Sequence, residues 1–219
     1  MSRTFSLFLA GALSLSACQA APESAFPDGM GRGVTSADAE PPAGAVTYTQ
    51  PEWRVGDRFV LVRGEFLKAE FVVIAKGADH YTIRGPGDLQ LRRDLDLGNL
   101  GEWEPEGSEP VHLLSPKDVR FHWPLWVGKR WACEFVDRTR GGIAMPMSAS
   151  YLVEGLDTVT VPAGTFEALR IVRTLRLQVQ DERFLTRTQI VWYAPSIGAE
   201  VRQVIGDTSV ELVATQRGS

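Results

Sequence analysis

The stretch Leu169-Arg170-Ile171-Val172-Arg173-Thr174-Leu175-Arg176-Leu177-Gln178-Val179-Gln180 decides the fold. Its odd positions are apolar except Arg173 and its even positions are mostly polar, the period of two expected of a strand with one buried and one wet face. Outward from it the pattern repeats. Met147, Ala149, Tyr151 and Val153 alternate with Ser148, Ser150 and Glu154, broken only at Leu152, while Val210, Leu212 and Ala214 alternate with Ser209, Glu211 and Thr215, broken only at Val213. Turn chemistry separates these runs at Val161-Pro162-Ala163-Gly164, at the polar Gln180-Asp181-Glu182-Arg183 and at Gly206-Asp207. Alternation with one solvated face belongs to antiparallel sheets, so the C-terminal half reads as a meander.

Toward the N-terminus the same grammar predicts strands over Arg58 to Gly64, Leu67 to Lys76, Asp79 to Gly85 and Gly87 to Leu95. Gly98 to Pro116, with Trp103, Glu residues and Pro, is expected to be an irregular excursion. No long amphipathic helix is predicted anywhere. The expected fold is all-β: one antiparallel meander sheet that can curl into an open or half barrel, in a single domain over 51–219. Its parts 51–116 and 117–219 could form two sheet units. Val55-Gly56-Asp57-Arg58-Phe59 and Val127-Gly128-Lys129-Arg130-Trp131 echo one another, as a duplicated unit would or as one turn used twice would; the second is favoured.

Composition narrows the function classes. The 219 residues are 44% hydrophobic, enough for a core, and 23 Lys and Arg against 27 Asp and Glu give a net charge of −4 without long single-sign runs. Nucleic-acid binding is disfavoured on that balance. Two cysteines cannot form a disulfide framework, so burial must hold the fold.

The N-terminus carries an address. Arg3 precedes an apolar run from Phe5 to Ser16, the length of a signal-peptide core and too short for a bilayer span of roughly 20 residues. Leu15-Ser16-Ala17-Cys18 resembles the bacterial lipobox, which implies removal of residues 1–17 and acylation of Cys18. Several acyl chains, at about 0.8 kcal/mol per buried CH₂, would hold the chain firmly to a membrane. Gln19 rather than Asp after the lipidated Cys implies, under the bacterial sorting rule, the outer membrane on its periplasmic side. Residues 18–50, rich in Ala, Pro, Gly and Ser, are expected to be a disordered tether with an end-to-end distance of roughly 30 Å. Cys133, its possible partner lipidated, is expected to be a lone buried thiol.

Catalytic patterns are sparse. His80, His112 and His122 lack the spacing of a metal site, and no metal or cofactor is expected. Gly128-Lys129 is followed by Arg130 and lacks the first glycine of a phosphate loop, and there is no G-x-S-x-G elbow. Asp94, Asp96, Glu102, Glu104 and Glu106 read as solvated loop charges. The remaining candidates are Trp126, Trp131, Trp192 and Tyr193, which could line an apolar cavity or fill a core. Arg173 stands in an apolar row and must pair with an acid, lie beyond the core's edge, or face a polar ligand.

Three segments carry a resemblance. Trp123-Pro124-Leu125-Trp126-Val127-Gly128-Lys129-Arg130-Trp131, Val159-Thr160-Val161-Pro162-Ala163-Gly164-Thr165-Phe166-Glu167-Ala168-Leu169-Arg170-Ile171 and Trp192-Tyr193-Ala194-Pro195-Ser196-Ile197-Gly198, in that order, resemble a bacterial envelope family of uncharacterised lipoproteins and periplasmic proteins. The resemblance spans roughly 50–215 and implies an all-β envelope protein without an assigned activity. The function expected is therefore a lipid-anchored binding protein for an apolar or amphiphilic molecule or for an envelope partner. A scaffold or assembly factor is the alternative, and a hydrolase stands third.

Overall fold

The computed structural model describes residues 31–64, 67–178 and 184–219. The expected signal peptide, Cys18 and the turn expected over 180–183 lie outside the described residues. Among those described, thirteen strands follow one another: β1 Gly33–Ala37, β2 Arg58–Arg63, β3 Leu67–Lys76, β4 His80–Arg84, β5 Gln90–Asp94, β6 Asn99–Trp103, β7 Pro110–Asp118, β8 Arg130–Thr139, β9 Ala144–Val161, β10 Gly164–Gln178, β11 Phe184–Ala194, β12 Ala199–Ile205 and β13 Thr208–Gln216. Each of β2 to β13 pairs antiparallel with its sequence neighbour, β13 pairs with β2, and the ring of twelve is complete. The all-β meander is thus a closed barrel, which leaves no long sheet edge unpaired.

Strand β10 shows why the chain curls this way. Leu169, Ile171, Arg173, Leu175 and Leu177 face the lumen, opposite Tyr193, Val191, Gln189, Arg187 and Leu185 on β11. On β9 the inward partners are Val153, Tyr151, Ala149 and Met147. With twelve strands the ring is wider than an eight-stranded barrel, whose interior side chains just fill it. One end is plugged from the connecting segments, where Trp53, Leu97, Val119, Phe121 and Leu125 are buried in the core. The other end carries short hairpin turns, and Leu67, Ile143, Phe184 and Leu185 stand exposed near it.

The two echoed segments form the same turn twice. The Asp57 amide donates to the Arg54 carbonyl at 3.0 Å and the Lys129 amide to that of Trp126 at 3.1 Å. Gly56 and Gly128 hold φ of 93° and 97°, the left-handed value a type II turn requires at that position. Each turn clips a neighbouring strand, Val73 in one case and Val153 in the other, through two backbone hydrogen bonds of 2.7–2.9 Å.

Two expectations are corrected. Gly98 to Pro116 is not irregular: it contains β6 and most of β7. Register breaks on both sides of Gly101 hide the alternation, and at Gly101 a side chain would sit 2.1 Å from the His112 carbonyl oxygen. Residues 31–50, expected as part of the slack tether, lie along the barrel. Strand β7 covers β8 only from Val136 to Thr139, and β1 fills the rest of that edge opposite Trp131 to Glu134. Arg32 binds Glu134 through two hydrogen bonds of 2.5 and 2.6 Å, and Tyr48 bridges to Leu125. Backbone pairing and these contacts order a segment whose apolar content is too low to do so.

Candidate functional site

The barrel lumen holds charges that the inward rows bring together. Arg173 donates to Asp118 at 2.7 Å, to the Tyr151 hydroxyl at 3.0 Å and to Gln189 at 3.5 Å. The Tyr151 hydroxyl donates to the other Asp118 oxygen, and Gln189 donates to Gln203 at 2.8 Å. Gln203 in turn donates to one oxygen of Glu200, whose other oxygen accepts from Arg120 at 2.8 Å. Side chains from β7, β9, β10, β11 and β12, with Arg120 beyond β7, thereby form one continuous polar bar across the lumen. Its members stand where buried charge is tolerable, paired and hydrogen-bonded.

Strand irregularities place several of them. Glu200 and Gln203 are three apart and would face opposite sides of a regular strand. Val201 is an extra residue between the pairs Tyr193–Glu200 and Trp192–Arg202, and this bulge turns both Glu200 and Gln203 inward.

The environment sets their protonation. Burial raises the Tyr151 hydroxyl well above its ordinary value, and the Asp118 charge raises it further. Burial works against the Arg173 and Arg120 charges, but Tyr151 and Asp118 for the first and Glu200 for the second more than offset it, so both stay cationic. Burial likewise opposes the Glu200 charge, and Arg120 with Arg93 outweighs it, leaving the carboxyl below its usual range. Cys133, buried beside Asp118, is pushed up to about 12, chiefly by burial. The thiol is inert, in keeping with the small-hydrophobe reading.

Two cavities flank the bar. The first, about 290 Å³, lies against the inner face of β2 to β5, β12 and β13 and is lined by Phe59, Leu61, Phe71, Ile83, Leu91 and Val210. Trp53 closes it on one side, and Arg93, Glu200 and Gln203 supply its polar wall. The second, about 550 Å³, lies against β6 to β11 and includes the exposed residues Leu185, Thr186 and Arg187, so it opens to solvent. There His112 meets Asp137 at 2.6 Å. Among the described residues no three His, Cys, Asp or Glu side chains come together as a metal site would require.

The His112–Asp137 contact makes stability depend on pH. Its hydrogen bond to Asp137, outweighing partial burial, raises the His112 pKa above the free value of about 6.5. The pair therefore contributes fully below about pH 6.5 and loses its contribution as pH rises through the raised folded value. In urea titrations, wild type minus D137N is expected to show a stability advantage at pH 6 that shrinks by pH 8.5. A constant difference would refute this coupling.

Of the sequence candidates, only Arg173 borders these cavities, from within the polar bar. Its oddity in the apolar row is explained by Asp118. Trp131 is core, stacked on Tyr151 at 4.8 Å with its indole NH on the Val119 carbonyl. Trp126 is buried under the Lys129 ammonium at 4.2 Å, and Tyr193 packs against Phe121 and Trp123. Trp192 lies on the outer face, donating to Asp157 at 2.9 Å beneath Arg202. The four aromatics are not gathered around one cavity. Sequence reasoning missed Arg93, Asp118, Arg120, Gln189, Glu200 and Gln203. Arg93 carried the signal that marked Arg173, a cation between Leu91 and Leu95 on an apolar row.

No family model and no curated protein matches this chain. Among solved structures, the hypothetical lipoprotein YmcC from Escherichia coli K12 aligns over 78% of this chain and 91% of its own, at 12% identity and a TM-score of 0.49. A candidate lipoprotein from Parabacteroides distasonis aligns over 77% and 99% at 9% identity, also with a TM-score of 0.49. A candidate exported protein with a YmcC-like fold, from Bacteroides fragilis, aligns over 78% and 100% at 12% identity with a TM-score of 0.42.

Proposed function

We propose that this chain is a lipid-anchored lipoprotein of the bacterial envelope, tethered through acylated Cys18, whose barrel takes up an apolar or amphiphilic molecule. The observation that supports uptake is the roughly 290 Å³ lumen cavity, whose wall is mostly aliphatic and aromatic with a few convergent polar groups. That is the make-up of a small-molecule site rather than of a filled core. The anchor is supported by the register of small residues and Cys18 behind a short apolar run.

Two experiments test the two halves separately. Native mass spectrometry of the full mature protein, gently extracted from membranes, is expected to reveal a small co-purifying amphiphile. A uniformly empty barrel that also rejects added medium-chain amphiphiles would overturn uptake. Cys18→Ser is expected to leave an unprocessed precursor without acyl label, and normal labelling would overturn the anchor. The scaffold reading is favoured by the exposed Leu67, Ile143, Phe184 and Leu185 near one barrel end.

A further inference from the structure

Among the charges of the polar bar and the first cavity, one cation is left over. Arg120 takes one oxygen of Glu200 and Gln203 the other. Arg173 takes one oxygen of Asp118 and Tyr151 the other. Both lumen carboxylates of the bar are thus committed. Arg93, which faces the first cavity from β5, has neither a hydrogen-bond nor an ion-pair partner among the described residues. Its guanidinium lies 5.7 Å from the centroid of the Trp53 ring and feels the Glu200 carboxylate across the cavity wall, whose oxygens Arg120 and Gln203 already occupy. Burial pulls its pKa below the ordinary value, the opposite direction from Arg120 and Arg173. A cation in a mostly apolar recess that shares its nearest carboxylate with another arginine and has no hydrogen bond of its own is costly, and an anion delivered by a ligand lowers that cost.

We propose that the first cavity binds a monoanionic, single-chain amphiphile, its anionic head on Arg93 and its chain against Phe59, Leu61, Phe71, Ile83, Leu91 and Val210. This rests on the proposed uptake and names its ligand class. Size limits the chain. About 290 Å³ accommodates on the order of ten water-sized groups at roughly 30 Å³ each, so one medium-length chain fits and a diacyl lipid does not. The larger cavity is the weaker candidate for an anion, because its His112, Arg173 and Arg120 already face Asp137, Asp118 and Glu200, and its remaining cation, Arg187, is exposed to solvent.

Calorimetric titration of the mature protein with decanoate, decanol and decyltrimethylammonium tests this. Decanoate is expected to bind at least 10-fold more tightly than decanol, and the cationic probe most weakly. Arg93→Met is expected to weaken decanoate roughly 10- to 100-fold, the range of a charge-assisted hydrogen bond, while leaving decanol unchanged. Arg93→Lys is expected to retain a preference for decanoate. Thermal melting should show Arg93→Met close to wild type in stability, since it breaks no hydrogen bond or close ion pair and the relieved burial of a cation offsets its lost attraction to Glu200. Equal binding of decanoate and decanol, or an unchanged decanoate affinity in Arg93→Met, would overturn the anionic head while leaving uptake standing. Failure of all three probes would overturn both.

Discussion

Asp118→Ala is expected to cost about 3–5 kcal/mol of folding stability, the size of effect seen when one partner of a buried ion pair is removed. Asp118 is 2% exposed, and its carboxylate answers two donors at once, the Arg173 guanidinium and the Tyr151 hydroxyl. Without it Arg173 would be left without a carboxylate partner inside the lumen, and Gln189 at 3.5 Å is too weak an acceptor to replace it. Since domains of this kind are held by about 5–15 kcal/mol, the variant should melt far earlier in urea or fail to fold. A second variant keeps the argument testable if it fails. Asp118→Leu with Arg173→Met removes both charges together, and apolar replacement of a buried pair is often neutral or stabilising. The double variant is expected to recover most of the loss. A double variant as unstable as the single would mean that the polar bar, not the stranded charge, holds the barrel.

That pairing also shows what the sequence could disclose. Arg173 was conspicuous because its row is otherwise apolar, and an interruption in a strand's buried face demands a partner. The partner was not legible, because Asp118 lies 55 residues away at the end of β7, just past the stretch Gly98 to Pro116 that was expected to be irregular. Glu200 was hidden differently: its inward orientation depends on the extra residue Val201, and alternation counted without the bulge assigns it to the wrong face. Bulges likewise concealed β6, while β10, β3 and the turn at Gly206, which obey a period of two or a two-residue hairpin, were readable directly. The tether erred for a separate reason. Hydrophobic content measures what side chains can contribute, whereas residues 33–37 are held largely by backbone bonds to an edge that exists only once β7 and β8 have paired. Closure itself belongs to the same class of information, since the pairing of β13 with β2 joins the two ends of the domain.

Trp131→Ala is expected to cost about 3–5 kcal/mol, as large aromatic truncations in cores do. The ring is 2% exposed and lies parallel to Tyr151, with an interplanar angle of 4°. Its loss leaves a void, and it strips the Val119 carbonyl of its donor, which by itself costs about 1–3 kcal/mol if water does not enter. Trp131→Phe keeps most of the packing and loses the indole NH, so it should cost about 1–3 kcal/mol, nearer the orphaned carbonyl than the void. Tyr151 links this packing to the polar bar, for the ring that stacks on Trp131 carries the hydroxyl that donates to Asp118. A double-mutant cycle of Trp131→Phe with Tyr151→Phe should therefore show coupling beyond simple additivity, as contacting residues do. Trp192→Ala, on the outer face, should cost less than Trp131→Ala and leave decanoate affinity unchanged, because Trp192 touches neither lumen cavity. If Trp192→Ala instead abolished decanoate binding at wild-type stability, the ligand would lie outside the barrel, against the β9–β10 hairpin, and the lumen site would be wrong.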